Sequence, residues 1–461
     1  MTPRLEITPL PYRADPLGYF ARLRYRPGAV LLDSGRPVAP GGRYDILSSD
    51  PLSTLESHDP GGSSPGGETP FAAQQRLLDG LDLSVPDSDL PFLGGLIGFW
   101  SYDLGRELEP VGRRAASRVA LPTSRVGLYD WALIQDHHER ASWLVATSAR
   151  RRQVLAWLDA AGTPPGGFRL RAPFAAELSR AAYLERFDAV QRYIRAGDCY
   201  QINLAQRFSA PYRGDLWAAY LRLREATPTP FAGYMAWPAE RGEQAILSVS
   251  PERFLSCREG RVEARPIKGT RPRGATRDED RQLAAELEAS LKDRAENVMI
   301  VDLLRNDLGR VCRVGSVRVP QLCGLESYAN VHHLVSVITG ELDADRRPLD
   351  LLAASFPGGS ITGAPKVRAM QIIDALEPSR RSVYCGSLGY VDVRGRMDTS
   401  IAIRTAVADR ERLHLWGGGG VVADSRGEAE YRETLDKIRH LMAALGAPLA
   451  DPPLGEEDQE L

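Results

Sequence analysis

The 461-residue chain has no apolar run approaching the roughly 18 to 20 residues that a membrane-spanning helix needs. Its first residues, Met1-Thr2-Pro3-Arg4-Leu5-Glu6, lack the apolar core of a secretion signal. A cytoplasmic protein that spans no membrane is expected. Cysteine is sparse: Cys199, Cys257, Cys312, Cys323 and Cys385 are odd in number and contain no C-x-x-C pair. That pattern argues against a disulfide framework and a thiolate zinc site, and leaves buried reduced thiols. Charge of one sign is missing too. The 58 Lys+Arg face 60 Asp+Glu, for a formal net charge of −2, so no basic field is available for nucleic acid or an anionic membrane. No strand-to-helix turn carries a Rossmann or P-loop glycine fingerprint. Small-molecule chemistry is what remains.

Glycine and proline are plentiful, at 43 and 33 residues, and they cluster. Residues 58–70 (HDPGGSSPGGETP) and 162–168 (GTPPGGF) read as connections. Strand-like pieces at 93–100 and 141–147 and a helix-like piece at 71–83 make residues 1–168 a strand-rich N-terminal region. From Ser179 helices and strands alternate. Ser179 can cap a helix in which Tyr183, Leu184, Phe187, Val190, Tyr193 and Ile194 recur at helical spacing. Strands are expected at 245–250, 261–267, 386–391, 400–406 and 413–415. A helical stretch broken once is expected over 278–308, and a final helix over 426–445 with Tyr431, Leu435, Ile438, Leu441 and Met442 buried. Residues 179–445 thus form a second region. The Pro-rich acidic tail, 446–461, reads as disordered. The fold class is α+β.

Four features carry possible chemistry. Lys268 lies in Arg265-Pro266-Ile267-Lys268-Gly269-Thr270-Arg271-Pro272-Arg273, at the end of a strand before a constrained turn. A lysine attacks only as the neutral amine, which neighbouring cations such as Arg265, Arg271 and Arg273 would favour. An ordinary surface lysine is the simpler reading on composition alone. Glu252, in Ser250-Pro251-Glu252-Arg253-Phe254, follows a strand and a proline turn, and becomes a general acid if burial keeps it protonated. On spacing alone a surface Glu-Arg pair is the favoured reading. Asp293 and Glu296, and likewise Glu430 and Glu433, stand at i and i+3 on two helices. If those faces meet, they make an oxygen-rich site suited to magnesium; otherwise they are solvated. The run Gly417-Gly418-Gly419-Gly420 permits close backbone approach and can offer N–H groups to a carboxylate, with Arg404 a bidentate carboxylate partner. The loop of residues 356–366 adds Thr362 and Lys366. His332-His333 has no spaced third ligand, so no metal is assigned to it.

Together these segments, with GDCYQINLAQ at 197–206, VDLLRND at 301–307 and residues 427–437, resemble the chorismate-utilising enzymes over nearly the whole chain. The resemblance implies an α/β sandwich of two β-sheets flanked by helices, with the N- and C-terminal halves intertwined. Lys268 discriminates within the family, because anthranilate synthases typically have alanine there. It implies that Lys268 attacks the chorismate ring while Glu252 protonates the departing hydroxyl. Ammonia then enters to give 4-amino-4-deoxychorismate, on the route to 4-aminobenzoate and folate. By the same matching His333 stands near the ring, and Gly269, Thr270, Thr362, Lys366, Tyr390, Arg404, Gly418, Gly419 and Gly420 contact substrate. Glu296 and Glu433 are the implied Mg2+ ligands, with Glu430 and Asp293 close by.

The resemblance further implies an L-tryptophan pocket at Ser34, Gly41, Gly42, Arg43, Tyr44, Pro230, Phe231 and Ala232. No Gly-x-Cys-x-Gly segment of a glutamine amidotransferase occurs in the chain, so a separate amidotransferase subunit is the implied ammonia source. Two rival readings are an anthranilate synthase component and a noncatalytic tryptophan-binding regulatory subunit.

Overall fold

A computed structural model of the chain describes residues 2–39, 42–59, 67–240, 242–327 and 331–447. The tail beyond 447, and most of the glycine-rich part of the 58–70 connection, lie outside the described residues.

Local sequence sets most element boundaries. The helix Arg180–Arg195 starts where the Ser179 hydroxyl accepts the N–H of Ala182, and it buries Tyr183, Phe187 and Val190. The long acidic stretch is two helices, Arg277–Ala289 and Leu291–Gly309. Ser290 separates them by serving both: its N–H closes the first helix on Leu287 O, and its hydroxyl accepts the N–H of Asp293 to open the second. The last helix is Gly427–Ala444. Its buried side holds Leu435, Ile438, Leu441 and Met442 as expected, but also the carboxylate residue Glu430.

Among the described residues the strands form two antiparallel sheets, of 13 and 10 strands. The main path of the first runs Leu5–Leu10, Ala141–Thr147, Ala132–Asp136, Tyr44–Ser48, Val30–Asp33, Phe231–Pro238, Glu243–Ser250, Thr405–Asp409, Arg412–Val421, Gln201–Gly214, Ala175–Ala176. The second carries Ile267–Pro272, Val331–Glu341, Arg261–Ala264, Arg253–Arg258, Met397–Ile401, Ser387–Asp392, Gly95–Trp100, Ser124–Tyr129 and Ser53–Ser57. Each sheet takes strands from before and after residue 168, so the two halves of the sequence interleave. Strand Glu243–Ser250 gives Ile246 to one apolar core and Leu247 and Val249 to another. The first sheet is therefore buried on both faces, and its period-2 alternation feeds two cores. Among the described residues no helix is long and apolar enough to cross a membrane.

Two expected strands are each split, and both splits matter. The 261–267 stretch is Arg261–Ala264 and then Ile267–Pro272, interrupted at Arg265-Pro266. Pro266 donates no N–H, so the ladder breaks there. The 400–406 stretch divides into Met397–Ile401 in the second sheet and Thr405–Asp409 in the first. Residues 402–404 are thus a crossing between the sheets. A second crossing runs beside it, from Glu243–Ser250 in the first sheet through Pro251-Glu252 to Arg253–Arg258 in the second. The crossings are bonded to each other: Val249 N–H donates to Arg404 O, Ile401 N–H to Glu252 O, and Ser250 Oγ to Ile401 O at 2.5 Å.

Because Ser290 is both cap and break, Ser290→Ala is expected to cost about 1 kcal/mol of stability, and Ser290→Gly a few tenths. The measurement is the urea midpoint at unchanged slope.

Candidate active site

The two crossings deliver Glu252 and Arg404 to the same place. Glu252 is 8% exposed. Burial pushes its carboxyl above the ordinary range, against the opposing pull of Lys268, Arg404, the Ser360 hydroxyl and Lys437. The Ser360 hydroxyl reaches Glu252 Oε1 at 3.5 Å, and the carbonyl of the same serine accepts from Lys268 Nζ at 3.2 Å. One residue thus touches both groups.

Lys268 does not end a strand as the sequence suggested. It lies inside Ile267–Pro272, where Ile267 pairs with Val335 but Thr270 pairs with His333, so the edge strand carries one extra residue between them. This is a β-bulge, a device that re-aims a side chain. Gly269, at φ +85°, completes it, and a Cβ there would lie 2.9 Å from Asp293 Cβ. The flanking arginines do not act as free cations. Arg265 pairs with Glu326 at 2.5 Å, Arg271 with Asp293 at 3.3 Å and Arg273 with Asp280 at 2.7 Å.

The acidic helix faces do meet. The charges of Lys268, Lys292, Asp293 and Glu433 all act on Glu296, whose carboxyl burial pushes up. Burial opposes ionisation of Glu433, but Lys437, Lys292 and Lys268 outweigh it and hold that carboxyl low. Glu433 Oε1 pairs with Lys437 at 2.5 Å. Glu430 accepts from the Ser425 hydroxyl at 2.6 Å through Oε1, while its Oε2 is buried without a partner.

That buried oxygen lies against Gly419, where a Cβ would stand 2.9 Å from Glu430 Oε2 and 3.1 Å from Glu433 Oε1. An orphaned carboxylate oxygen in a glycine cradle, beside the Glu433 carboxylate, fits a hard divalent cation. Among the described residues no three His, Cys, Asp or Glu side chains already converge as a metal set. A cation here would therefore use one or two protein carboxylates and take its other oxygens from water and substrate. Asp293 is the least suited of the four, being drawn to Arg271.

The glycine run is not a turn between strand and helix. It lies within the strand Arg412–Val421, with Gly420, Gly419 and Gly418 opposite Asn203, Leu204 and Ala205. On the other side the neighbouring strand pairs only as far as His414. One edge of the run therefore has no strand beside it among the described residues. The Gly418 carbonyl accepts from Lys437 Nζ at 2.9 Å. Gly418 also faces the Tyr384 hydroxyl, 2.9 Å from where its Cβ would be.

Arg404, at φ +51°, has no acceptor for its guanidinium among the described residues, yet Tyr384, Glu252 and Glu433 lie in its electrostatic surroundings. A half-buried guanidinium without a protein acceptor is available to a carboxylate. His333 Nδ1 bonds the Thr270 hydroxyl at 2.9 Å, and burial lowers the imidazole below its ordinary value, so it stands neutral near neutrality.

Two expected substrate contacts sit elsewhere, and a third is engaged within its own loop. Tyr390 packs edge-on against Phe92 and lines a different cavity. Tyr384, which the sequence did not single out, stands beside Gly418 and in the electrostatic surroundings of Arg404. Tyr384 precedes the hairpin Ser387–Asp392/Met397–Ile401, and Arg404 follows it, so the two stand together at its open end. Cys385 N–H bonds Ala402 O there, whereas Tyr390 pairs with Asp398 near the closed end. Lys366 is buried and bonds Asp307 Oδ2 at 2.6 Å and Ser355 O at 2.9 Å. It ties two helices together, and burial pushes its Asp307 partner up to about 6. The Thr362 hydroxyl donates to Gly358 O within its own loop. Lys437 is the second residue the sequence did not single out.

Residues from both halves of the chain line a second cavity of about 150 Å3. Gly42, Arg43, Tyr44, Pro230, Phe231 and Ala232 line it, together with Tyr390. Ser34 stands behind Gly42 with its hydroxyl on Asp45 at 2.6 Å, and Gly41 lies outside the described residues. Arg253, next to the buried Glu252, lies over the Phe231 ring and pairs with Asp398. The five cysteines are free and buried, as expected.

With this geometry in view, a family model for chorismate binding enzymes matches residues 40–443. The chain belongs to the chorismate-binding enzymes. Aminodeoxychorismate synthase component 1 of Salmonella typhimurium is 47% identical to it over 448 residues, 95% of this chain and 97% of that one. Anthranilate synthase component 1 of Mycolicibacterium smegmatis is 37% identical over 471 residues, 95% and 90% of the two chains. The crystal structure of anthranilate synthase component I from Streptococcus pneumoniae superposes with a TM-score of 0.76 at 29% identity, covering 87% of this chain and 92% of that one. Two sheets with interleaved halves are thus the architecture of this family member.

The glycines separate fold from site. At Gly417 an added Cβ would meet the Thr434 carbonyl at 2.0 Å, which is backbone and cannot give way, whereas at Gly419 it meets only the ends of two glutamate side chains. Gly417→Ala is expected to lower the melting temperature. Gly419→Ala is expected to leave it unchanged while turnover of chorismate falls ~100-fold, the usual cost of a misplaced group.

Proposed function

We propose that this chain is the synthase component that converts chorismate and ammonia to 4-amino-4-deoxychorismate. The observation that carries the reading is the pairing of Lys268, aimed by a bulge, with the buried acid Glu252 across Ser360. The identity to the Salmonella relative over nearly the full chain supports it.

Chorismate's ring hydroxyl is a poor leaving group, so its departure needs an acid, and the allylic system needs a nucleophile. Lys268 Nζ forms a bond to the ring carbon two positions from the hydroxyl-bearing one. The ring double bonds shift and the C–O bond breaks, with Glu252 giving its proton to the oxygen as water leaves. Ammonia then bonds to the carbon that lost the hydroxyl, the double bonds shift back, and the lysine nitrogen leaves. Arg404 and Tyr384 receive a substrate carboxylate at the glycine edge, and neutral His333 stands beside the ring with Thr270 fixing its orientation. A magnesium ion held by Glu296 and Glu433, with Glu430 alongside, would supply positive charge opposite the ring carboxylate. The chain has no amidotransferase nucleophile segment, so ammonia comes from a separate glutamine amidotransferase subunit. The cavity at Tyr44 and Phe231, lined by aromatic rings and by charged groups of both signs, suits bound L-tryptophan.

The purified chain, given chorismate, magnesium and an ammonium salt near pH 8, is expected to form 4-amino-4-deoxychorismate and no anthranilate. Lys268→Ala is expected to stop that product. Anthranilate as the wild-type product, or unchanged product from Lys268→Ala, refutes the reading. The pH profile gives an independent check. Burial raises the Glu252 pKa, so the protonated acid persists above the ordinary carboxyl range and activity falls as pH rises through that raised value. Glu252→Gln is expected to lose 10²- to 10⁴-fold in kcat and to abolish that limb.

A further inference from the structure

Arg381 is 1% exposed, among the largest fully buried side chains of the protein, and is absent from the chemistry described so far. Four hydrogen bonds hold its guanidinium. Nε donates to Glu377 Oε2 at 2.9 Å, Nη1 to Ile361 O at 2.9 Å, and Nη2 to Glu377 Oε1 at 2.6 Å and Asn203 O at 2.5 Å. Glu377 Oε1 in turn accepts the N–H of Ala205 at 2.9 Å. The cation also stands 4.7 Å from the Tyr102 ring and 6.0 Å from that of Tyr384.

These partners are not scattered. Ile361 follows Ser360, whose carbonyl and hydroxyl meet Lys268 and Glu252. Asn203 and Ala205 stand opposite Gly420 and Gly418 in the ladder. Tyr384 faces Gly418. A single planar fork therefore spans the loop that sets nucleophile and acid, the strand that backs the glycine edge, and a ring at the carboxylate end. Burying an ion pair often fails to stabilise a protein relative to well-packed apolar groups, and in some proteins the return for keeping one is geometric specificity. The rigid fork of arginine can hold two carbonyls and a carboxylate at fixed angles; the single ammonium of lysine cannot.

We propose that the Arg381–Glu377 pair is a positioning element for catalysis, holding the Ser360–Ile361 backbone so that Lys268 and Glu252 stay in register with the glycine edge. The proposal rests on the roles given to Lys268 and Glu252 above. Arg381 touches no reacting atom and acts through Ser360.

Arg381→Lys keeps charge and removes the fork. It is expected to lower kcat ~100-fold, as a misplacement of about 1 Å does, with KM for chorismate changed less than threefold and the alkaline limb of the pH profile displaced. In a Ser360→Ala background the same substitution is expected to cost less than in the wild type, because its route to Glu252 through the hydroxyl is cut while the backbone route to Lys268 remains. Additive losses, an unmoved pH limb, or activity that falls only in step with the folded fraction would overturn the proposal. If Arg381→Lys does not fold, Glu377→Gln, which keeps an acceptor for Ala205 and weakens the hold on Arg381, is put through the same measurements and judged by the same outcomes. Lys268→Ala is assayed alongside. Full product formation by that variant would mean the reading of the site has failed, whereas an inactive Lys268→Ala with a fully active Arg381→Lys would sink the positioning role alone.

Discussion

Everything at the site depends on two chain segments crossing side by side from one sheet to the other. Strands Glu243–Ser250 and Thr405–Asp409 are neighbours in the first sheet, and their continuations Arg253–Arg258 and Met397–Ile401 are neighbours in the second. Where they change sheets the ladder is interrupted, and the side chains there belong to neither pleat. Glu252 and Arg404 occupy those two positions. Backbone and hydroxyl hydrogen bonds between the crossings fix their separation, so the acid and the free guanidinium are placed by the sheets themselves rather than by a loop. The same crossing sets Glu252 beside Arg253, whose guanidinium reaches the second cavity.

Gathering charge in such a place is costly, because a buried carboxylate or ammonium loses its hydration. The protein offsets that cost by interleaving signs: Glu252 with Lys268 and Arg404, Glu433 with Lys437, Asp293 with Arg271. The balance is incomplete by design of the geometry. Glu430 Oε2 and the Arg404 guanidinium remain without protein partners among the described residues. They are the groups with most to gain from a bound cation and a bound carboxylate. Glycine at 418 and 419 makes the arrangement possible, since any side chain would occupy the space taken by Tyr384 on one face and the two glutamates on the other.

Much of this was legible from local sequence, and the failures share one cause. The capping serine at Ser179 marks a helix start, and i, i+3 spacing puts Glu430 and Glu433 on one face, because those rules act within a turn of helix; the single break expected in 278–308 falls at Ser290. The split strands were not legible. The apolar alternation runs on through residues 402–404, and nothing in it records that the strand has changed sheets. Lys268 was found without its bulge for a similar reason: the register of an edge strand is set by its partner. Tyr384 does not stand out in the sequence, because tyrosines near glycines look alike until they are placed on the hairpin. The turn Asp392-Val393-Arg394-Gly395-Arg396 was the available signal. It folds the strands back so that residues 384 and 404 meet at the open end, while 390 stays near the turn. Lys366 matched the expected chemistry by type, but its burial against Asp307 could be known only from the packing of two helices distant in sequence.

The central claim is that Lys268 bonds covalently to the substrate ring. The most direct measurement is the mass of the intact chain after brief incubation with chorismate and magnesium in the absence of ammonia, followed by acid quench and peptide mapping. The account predicts a gain equal to chorismate less one water, located on the peptide that carries Lys268 and lost on addition of ammonium. A chain that makes 4-amino-4-deoxychorismate when ammonium is present, yet never carries that mass at Lys268, would contradict it.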